Sequence, residues 1–303
     1  MSDLQRAPWE LALLVPPLLL ALALVTACGA AALSGAPAFA PVRVSLRLVV
    51  QGRRTTVAPD SLLWRIGSVS PLVLAALLLA LTPLGGWLVA DPPVGVVWIN
   101  TFDVWLWAAW WLAGWGANAV HPLIGGYRLL GQALSYELPL MFALTAPAVA
   151  AGSLRVSDVV GAQQHGWYVL QMPLALLVYL VAVVGYASWG PLSSPTGRDL
   201  QSGILAELSG VDRLLVLAGR YALLVAGCAV GAALFLGGGG GPFLPAAVWS
   251  LLKTALLVLG VLLVSRRLPA VRPERFAPFA WLVLLPLSLL QVLITSLLAV
   301  ARG

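Results

Sequence analysis

Charged residues are scarce in this sequence, and their scarcity excludes an ordinary water-soluble protein. Only 9% of the 303 residues are Asp, Glu, Lys or Arg, whereas 61% are hydrophobic. Soluble domains have about 25% charged residues, so the apolar surface here exceeds what one soluble core can enclose. The composition therefore indicates a membrane protein.

Cysteine, histidine and lysine are also rare, which excludes several kinds of chemistry. The chain has two cysteines, Cys28 and Cys228, two histidines and a single lysine. The cysteines lie in different apolar stretches without metal-ligand spacing, so we interpret them as packing residues. The sequence has no nucleotide-binding fingerprint and no cysteine cluster for an iron–sulfur centre. We expect no metal site, no covalently bound cofactor and no redox centre in this chain.

Long apolar stretches dominate the sequence instead. A membrane span needs about 20 mostly apolar residues, and such spans are helical because backbone groups in lipid need internal partners. Eight stretches qualify, at about residues 9–33, 66–90, 96–115, 129–151, 168–190, 214–236, 244–265 and 278–300. We predict an all-α polytopic membrane protein, a single membrane domain over residues 1–303 with a bundle of about eight transmembrane helices. The first stretch is expected to be a retained span and not a cleaved signal.

The segment PVRVSLRLVVQGRRTTVAPD, after the first span, is too polar to cross a membrane. Arg43, Arg47, Gln51 and Arg54 recur at helical intervals, although residues 42–48 also alternate as a strand would. A lone strand at a membrane surface has no partner for its backbone. We therefore predict an interfacial amphipathic helix with its arginines toward lipid headgroups.

The arginines outside the spans are distributed unevenly between the two sides. Loops after spans one, three, five and seven contain Arg43, Arg47, Arg53, Arg54, Arg65, Arg128, Arg198, Arg213, Arg266, Arg267, Arg272 and Arg275, against Arg6, Arg155 and Arg302 on the other side. Basic loops stay cytoplasmic, so both termini are predicted to lie outside. The basic charge thus indicates a lipid bilayer as the partner and not nucleic acid.

Four ionisable residues fall within the predicted spans, where they are costly and should face a polar interior. For Glu137, two interpretations remain open: a proton-relay carboxylate, or a static ion pair or hydrogen bond between helices. Asp103 lies near the outer end of its span and is expected to be solvated or capped. Arg220 and Lys253 are candidate counter-ions for Glu137, or snorkel from helix ends.

The stretch AGWGANAVHPLIGGYRLLGQALSYELPL resembles the membrane protein known as the H subunit of bacterial NADH-quinone oxidoreductase, which is subunit 1 of mitochondrial complex I. Further similar segments follow in the same order, namely WYVLQMPLALLVYLVAVVGYA, AELSG and LLKTALLVLGVLLVSRRLPAVRPERF. The resemblance covers about residues 62–300.

This resemblance implies a membrane subunit of a respiratory, proton-translocating oxidoreductase that takes electrons from NADH or a related donor. Proteins of this family help to form the quinone cavity and the entry of the proton path, with quinone as substrate. The implied partners are an iron–sulfur peripheral arm and antiporter-like membrane subunits, and the implied location is the bacterial plasma membrane.

The resemblance also implies roles for particular residues. Glu137 stands at the Ser-Tyr-Glu position of the family's proton path, Glu207 matches an acid in the loop after the fifth span, and Asp199 lies near another. Lys253 is expected on this path or as its counter-ion. The quinone cavity is expected near the following arginines: Arg43, Arg47 and Arg65.

Two segments depart from the family pattern. GAPAFAPVR stands where the family has a Gly-Pro-Asn-Arg-Val-Gly-Pro type of segment, and GYASWGPLSSPTGRDLQSGILAELSG has few of the expected carboxylates. We therefore expect coupling to run through Glu207 toward Glu137 and to depend little on Asp199. Two alternatives remain, the membrane anchor of an energy-converting hydrogenase-like complex and a stand-alone permease, although no internal repeat of the transporter kind is evident.

Overall fold

The computed structural model describes residues 5–197 and 203–302, and helices dominate this part of the chain. In chain order they are α1 Trp9–Ala12, α2 Val15–Leu33, α3 Ala40–Val50, α4 Ser61–Ala80, α5 Gly95–Gly116, α6 Val120–Ala151, α7 Val156–Gly161, α8 Tyr168–Gln171, α9 Pro173–Tyr186, α10 Gly210–Leu236, α11 Ala246–Arg267, α12 Pro273–Phe279 and α13 Leu285–Arg302. Short 3₁₀ turns lie at Ala162–His165, Gly190–Leu192 and Ser194–Thr196, and a π-helical segment, Ala280–Leu284, joins α12 to α13. Two short strands, β1 Gln5–Arg6 and β2 Trp87–Leu88, pair in parallel.

Six helical stretches of the described chain are long and apolar enough to cross a bilayer: Glu10–Leu33, Ser61–Ala80, Val120–Ala151, Gly210–Leu236, Ala246–Arg267 and Pro273–Ala301. The prediction of an all-α polytopic membrane protein is thereby confirmed. Helices α5 and α9 occupy the other two predicted spans. Helix α5 has 22 residues and includes Asn100 and Asp103, whereas α9 has only 14 residues.

Several predicted spans differ from the helices that the structure contains; α6, for example, begins at Val120, nine residues before the predicted start. The span at 66–90 ends early because α4 stops at Ala80, after which Gly85 has a left-handed φ of 70° and β2 follows. The span at 168–190 is divided into α8 and α9 at Pro173, which has no backbone N–H to continue the helix.

The segment after the first long helix is α-helical, as predicted, over Ala40–Val50. Pro41 occupies its first turn, where the missing N–H costs no hydrogen bond. Only Leu48 is buried, and the side chains of Arg43 and Arg47 are exposed. This helix therefore lies on the surface of the bundle.

Helix α4 packs against both α5 and α10. Small residues permit the close approach to α5, because a Cβ atom at Gly67 would lie 2.3 Å from the backbone nitrogen of Ala113. Side chains of small residues allow helix backbones to approach closely in membrane proteins, where packing and not the hydrophobic effect drives association. This contact positions α5 relative to the rest of the bundle.

Polar contacts near the helix ends identify the two ends of the bundle. At one end, called the arginine end, Arg53 pairs with Asp212 at 2.8 Å and the N–H of Arg54 donates to Ser209 Oγ at 2.7 Å. At the opposite end, Arg155 pairs with Asp91 at 3.2 Å, near the β1–β2 pair. Successive long helices therefore run alternately between these two ends.

Replacing Gly67 by Val tests the α4–α5 contact. The added side chain would overlap backbone atoms of Ala113, and overpacking of this kind typically costs about 1–3 kcal/mol. We expect a lower thermal midpoint of the detergent-solubilised protein. Gly260→Val is the control, because no atom lies within 4 Å of a Cβ placed there; equal midpoints for the two variants would contradict the packing assignment.

Candidate functional site

Helix α9 is too short to span the bilayer, and this brings irregular chain into the bundle. Its 14 residues form about 21 Å of helix, against a hydrocarbon core of about 30 Å. The following residues, 187–197, form what we call the buried serine loop. Its polar side chains are enclosed by protein, namely Ser188, Ser193, Ser194 and Thr196.

Three long polar side chains bind the buried serine loop from neighbouring helices. Arg220 of α10 donates to the carbonyl oxygens of Ala187 and Ser188, close to the C-terminal end of α9. Gln132 of α6 donates to the carbonyl oxygens of Gly185 and Leu192 at 3.0 and 3.1 Å. Arg128 of α6 donates to Ser194 Oγ at 2.5 Å. Irregular backbone is stable at membrane depth when protein groups satisfy it in this way.

The polar residues of α6 lead from this loop into the bundle. Arg128, Gln132 and Tyr136 are spaced four residues apart, so they follow one face of the helix, and Glu137 comes next in the chain. The route from Arg128 to Glu137 covers about 13 Å along the helix axis. A line of polar groups therefore connects the arginine end to the acids described next.

Two acids from neighbouring helices meet at the inner end of this route. The side chains of Asp103 and Glu137 are 5% and 7% exposed. They lie beside each other, because Asn100 of α5 binds Glu137 and Tyr136 of α6 binds Asp103. Tyr136 donates its hydroxyl to Asp103 Oδ1 at 3.3 Å, and Trp107 Nε1 donates to Asp103 Oδ2 at 3.4 Å. Asn100 Nδ2 donates to Glu137 Oε1 at 3.0 Å. We call Asp103 and Glu137 the acid pair.

A small cavity adjoins the acid pair on the side of α9. Asp103 lines it together with the rings of Tyr179 and Tyr186, and its volume is about 10 Å³. This is close to the space that one water molecule needs. The hydroxyl of Tyr179 donates to the carbonyl oxygen of Gly227 at 2.8 Å. Apart from Asp103 and the two tyrosines, the cavity lining is apolar.

Among the predicted site residues that the structure describes, it brings only Glu137 into this centre. Glu207 is half-buried in the segment between the buried serine loop and α10, at the arginine end. Asp199 lies outside the described residues. Asp212, in the first turn of α10, pairs with Arg53 at the same end.

Lys253 has a different environment from the one expected for a counter-ion of Glu137. Its ammonium group donates to the carbonyl oxygens of Leu236, Gly238 and Gly240 at 2.6, 2.9 and 2.6 Å. It also lies 4.5 Å from the ring centre of Trp167. Lys253 thus binds the C-terminal end of α10, where helix carbonyls favour a positive charge, and this lies at the opposite end of the bundle.

The arginines expected near a quinone cavity are on the surface. Arg43, Arg47 and Arg65 are all exposed. A groove of about 280 Å³ does lie at the arginine end, between α2, α10 and α11. Its lining includes three alanines of α2, the aromatic pair Trp189 and Tyr221 with ring centres 4.7 Å apart, and Arg266.

Asp103 was expected to be solvated or capped, and this expectation is wrong because its side chain is buried inside the bundle. It lies about 12 Å from the first residue of α5 and about 20 Å from the last, at about 1.5 Å per residue. Helical spacing could have predicted this burial, since Ile99, Leu106 and Trp110 lie on the same face of α5 as Asp103 and are buried. Asn100, the amide donor to Glu137, was likewise not identified from the sequence.

These features define a class: a polytopic helical membrane protein with acids buried in its interior. The family model for NADH dehydrogenase matches residues 27–296, and the chain belongs to this family, that of complex I subunit 1. It is 33% identical to the NADH-quinone oxidoreductase H subunit 2 of Rhodopseudomonas palustris over 220 residues, 72% of this chain and 69% of the relative. It is 34% identical to the protein of that name from Cereibacter sphaeroides over 218 residues, 71% of this chain and 68% of the relative. The resemblance inferred from the sequence is confirmed.

Proposed function

We propose that this chain is the membrane subunit of a proton-translocating NADH-quinone oxidoreductase, or of a complex with a related electron donor. In this role it contacts quinone at the arginine end and forms the entry of the proton path. The proposed partners are an iron–sulfur peripheral arm and antiporter-like membrane subunits, in the bacterial plasma membrane. The family membership and the names of the relatives support this assignment.

The observation that carries the proton-path proposal is the line of polar groups from the buried serine loop to the acid pair. Arg128, Gln132 and Tyr136 follow one face of α6, and Tyr136 donates to Asp103 beside Glu137. A buried carboxyl group can bind and release a proton when nearby charge changes. We place Glu137 on the path and Glu207 at its entrance, with Asp199 contributing little.

Glu137→Gln separates a relay from a structural acid. The amide keeps the volume and an oxygen that accepts from Asn100 but does not titrate. In membranes containing the assembled complex, we expect proton translocation to be lost while electron transfer to quinone persists. Glu207→Gln should give a smaller loss of the same kind, and Asp199→Asn almost none.

Glu274→Gln is the matched control, because it makes the same chemical change at an exposed position in α12. Translocation should be unchanged in this variant. Normal translocation by Glu137→Gln would refute the relay role, and a larger loss from Asp199→Asn than from Glu207→Gln would refute the proposed entrance.

The groove between α2, α10 and α11 is our candidate for the quinone site. Its alanine wall gives an isoprenoid tail an apolar surface, while Trp189, Tyr221 and Arg266 provide aromatic and polar groups at one end. Ligand sites combine such apolar walls with a few polar groups, and about 280 Å³ is close to the smallest volumes usual for them. We propose that quinone passes or binds here.

Ala30→Trp would fill this groove. We expect KM for quinone to rise several-fold, while electron transfer from NADH to a water-soluble acceptor stays unchanged. Ala32→Trp is the control, because Ala32 is on the same helix but is exposed and does not line the groove. Equal quinone kinetics in the two variants would exclude this groove as the quinone site.

We also propose that the arginine end faces the cytoplasm and that both termini lie outside, because basic loops remain on the cytoplasmic side. Single cysteines at Phe243 and Arg272, both exposed, report the two ends once Cys28 and Cys228 are replaced. A membrane-impermeant maleimide should label the Phe243 position on intact cells and the Arg272 position only after permeabilisation. Labelling of the Arg272 position on intact cells would reverse the orientation.

A further inference from the structure

The acid pair has an incomplete set of hydrogen-bond donors. Its four carboxyl oxygens receive three donors, Asn100, Trp107 and Tyr136, and all three are neutral groups. Glu137 Oε2 is buried and accepts no hydrogen bond from the described protein. In the same part of the chain, neither acid forms a salt bridge with an arginine or lysine.

Two adjacent negative charges are unfavourable in this environment. A buried charge without a partner costs several kcal/mol in proteins, and two neighbouring carboxylates repel each other strongly at low dielectric constant. A proton held between the two carboxyl groups removes one charge and supplies the missing fourth donor. Neighbouring carboxyl groups that interact this strongly bind protons as a unit and not as separate residues.

We propose that Asp103 and Glu137 form one proton-binding site in which both acids share a single proton. The inference rests on the proposed function, because it identifies Asp103 as the second member of the site that contains Glu137. With one proton the pair has one negative charge, a second proton makes it neutral, and release restores the charge. The pair thus exchanges one proton per cycle without ever bearing two negative charges.

Among the described residues, the buried cation Arg220 of α10 lies one turn from Leu223 of the cavity wall, and its guanidinium group binds the carbonyl oxygens of Ala187 and Ser188. The other titratable side chains around the pair are Tyr136 from α6, Tyr179 and Tyr186 from α9, and Cys228 from α10. Helix α4 contributes Leu78 to the adjoining cavity, and α10 contributes Leu223. Tyr136 is the member of the polar line on α6 whose hydroxyl donates to Asp103, so its phenol is the natural position for proton entry.

The test is infrared difference spectroscopy of the intact purified complex, before and after reduction by NADH. A shared proton predicts a carboxylic-acid C=O signal, sensitive to exchange in D₂O, that disappears in both Asp103→Asn and Glu137→Gln. Proton translocation per electron should also fall in Asp103→Asn, because the two acids bind the proton as a unit. Asp158→Asn, at an exposed acid that contacts Ser153, should leave the signal and translocation unchanged.

The outcomes separate this inference from the proposed function. If Glu137→Gln loses the signal and translocation while Asp103→Asn keeps both, the shared site is refuted and the relay role of Glu137 stands. If Glu137→Gln pumps normally, the relay role fails, and loss of one common signal in both variants still supports a shared proton.

Tyr136→Phe provides a second test that does not remove an acid. Phe has the same ring but cannot donate to Asp103, so the carboxylic-acid signal should change frequency. An unchanged signal in a correctly assembled complex would refute the inference, and this test remains valid if Asp103→Asn does not assemble.

Discussion

The architecture depends on one constraint: a polar group at membrane depth must find its partner inside the protein. Helix α9 ends before it has crossed the bilayer, so its terminal carbonyl groups and the buried serine loop lie inside the bundle. Arg220 and Gln132 satisfy the carbonyls, and each comes from a neighbouring long helix. Gln132 also belongs to the line of polar residues on α6 that reaches the acid pair.

The same constraint determines where the few cations act. Arg220 binds carbonyls that follow α9, and Lys253 binds carbonyls at the end of α10, so two buried cations neutralise helix ends. The acids, in contrast, receive neutral amide, indole and phenol donors. This division separates groups that stabilise the backbone from groups that are able to change protonation. It explains how a chain with so little charge keeps acids available in its interior.

Sequence patterns predicted the helical membrane fold, the surface helix at Ala40–Val50 and the family, because hydrophobic length and helical spacing are local properties. They did not predict the acid pair. Asp103 and Glu137 are 34 positions apart in the chain, and only the packing of α5 on α6 brings them together. The partners of Lys253 could not be predicted from the sequence either. Its carbonyl ligands belong to a glycine-rich turn whose path depends on φ angles of 68° and 51° at Gly237 and Gly238.

The enclosure of Lys253 has a consequence for chemical mapping of the assembled complex. It is the single lysine of the chain, it is 3% exposed, and three carbonyl groups and two indole rings surround its nitrogen. Amine-directed cross-linkers therefore find no reactive side chain on the folded protein, so this chain contributes no lysine cross-links to its neighbours. Its contacts have to be mapped through arginine, carboxyl or introduced cysteine chemistry.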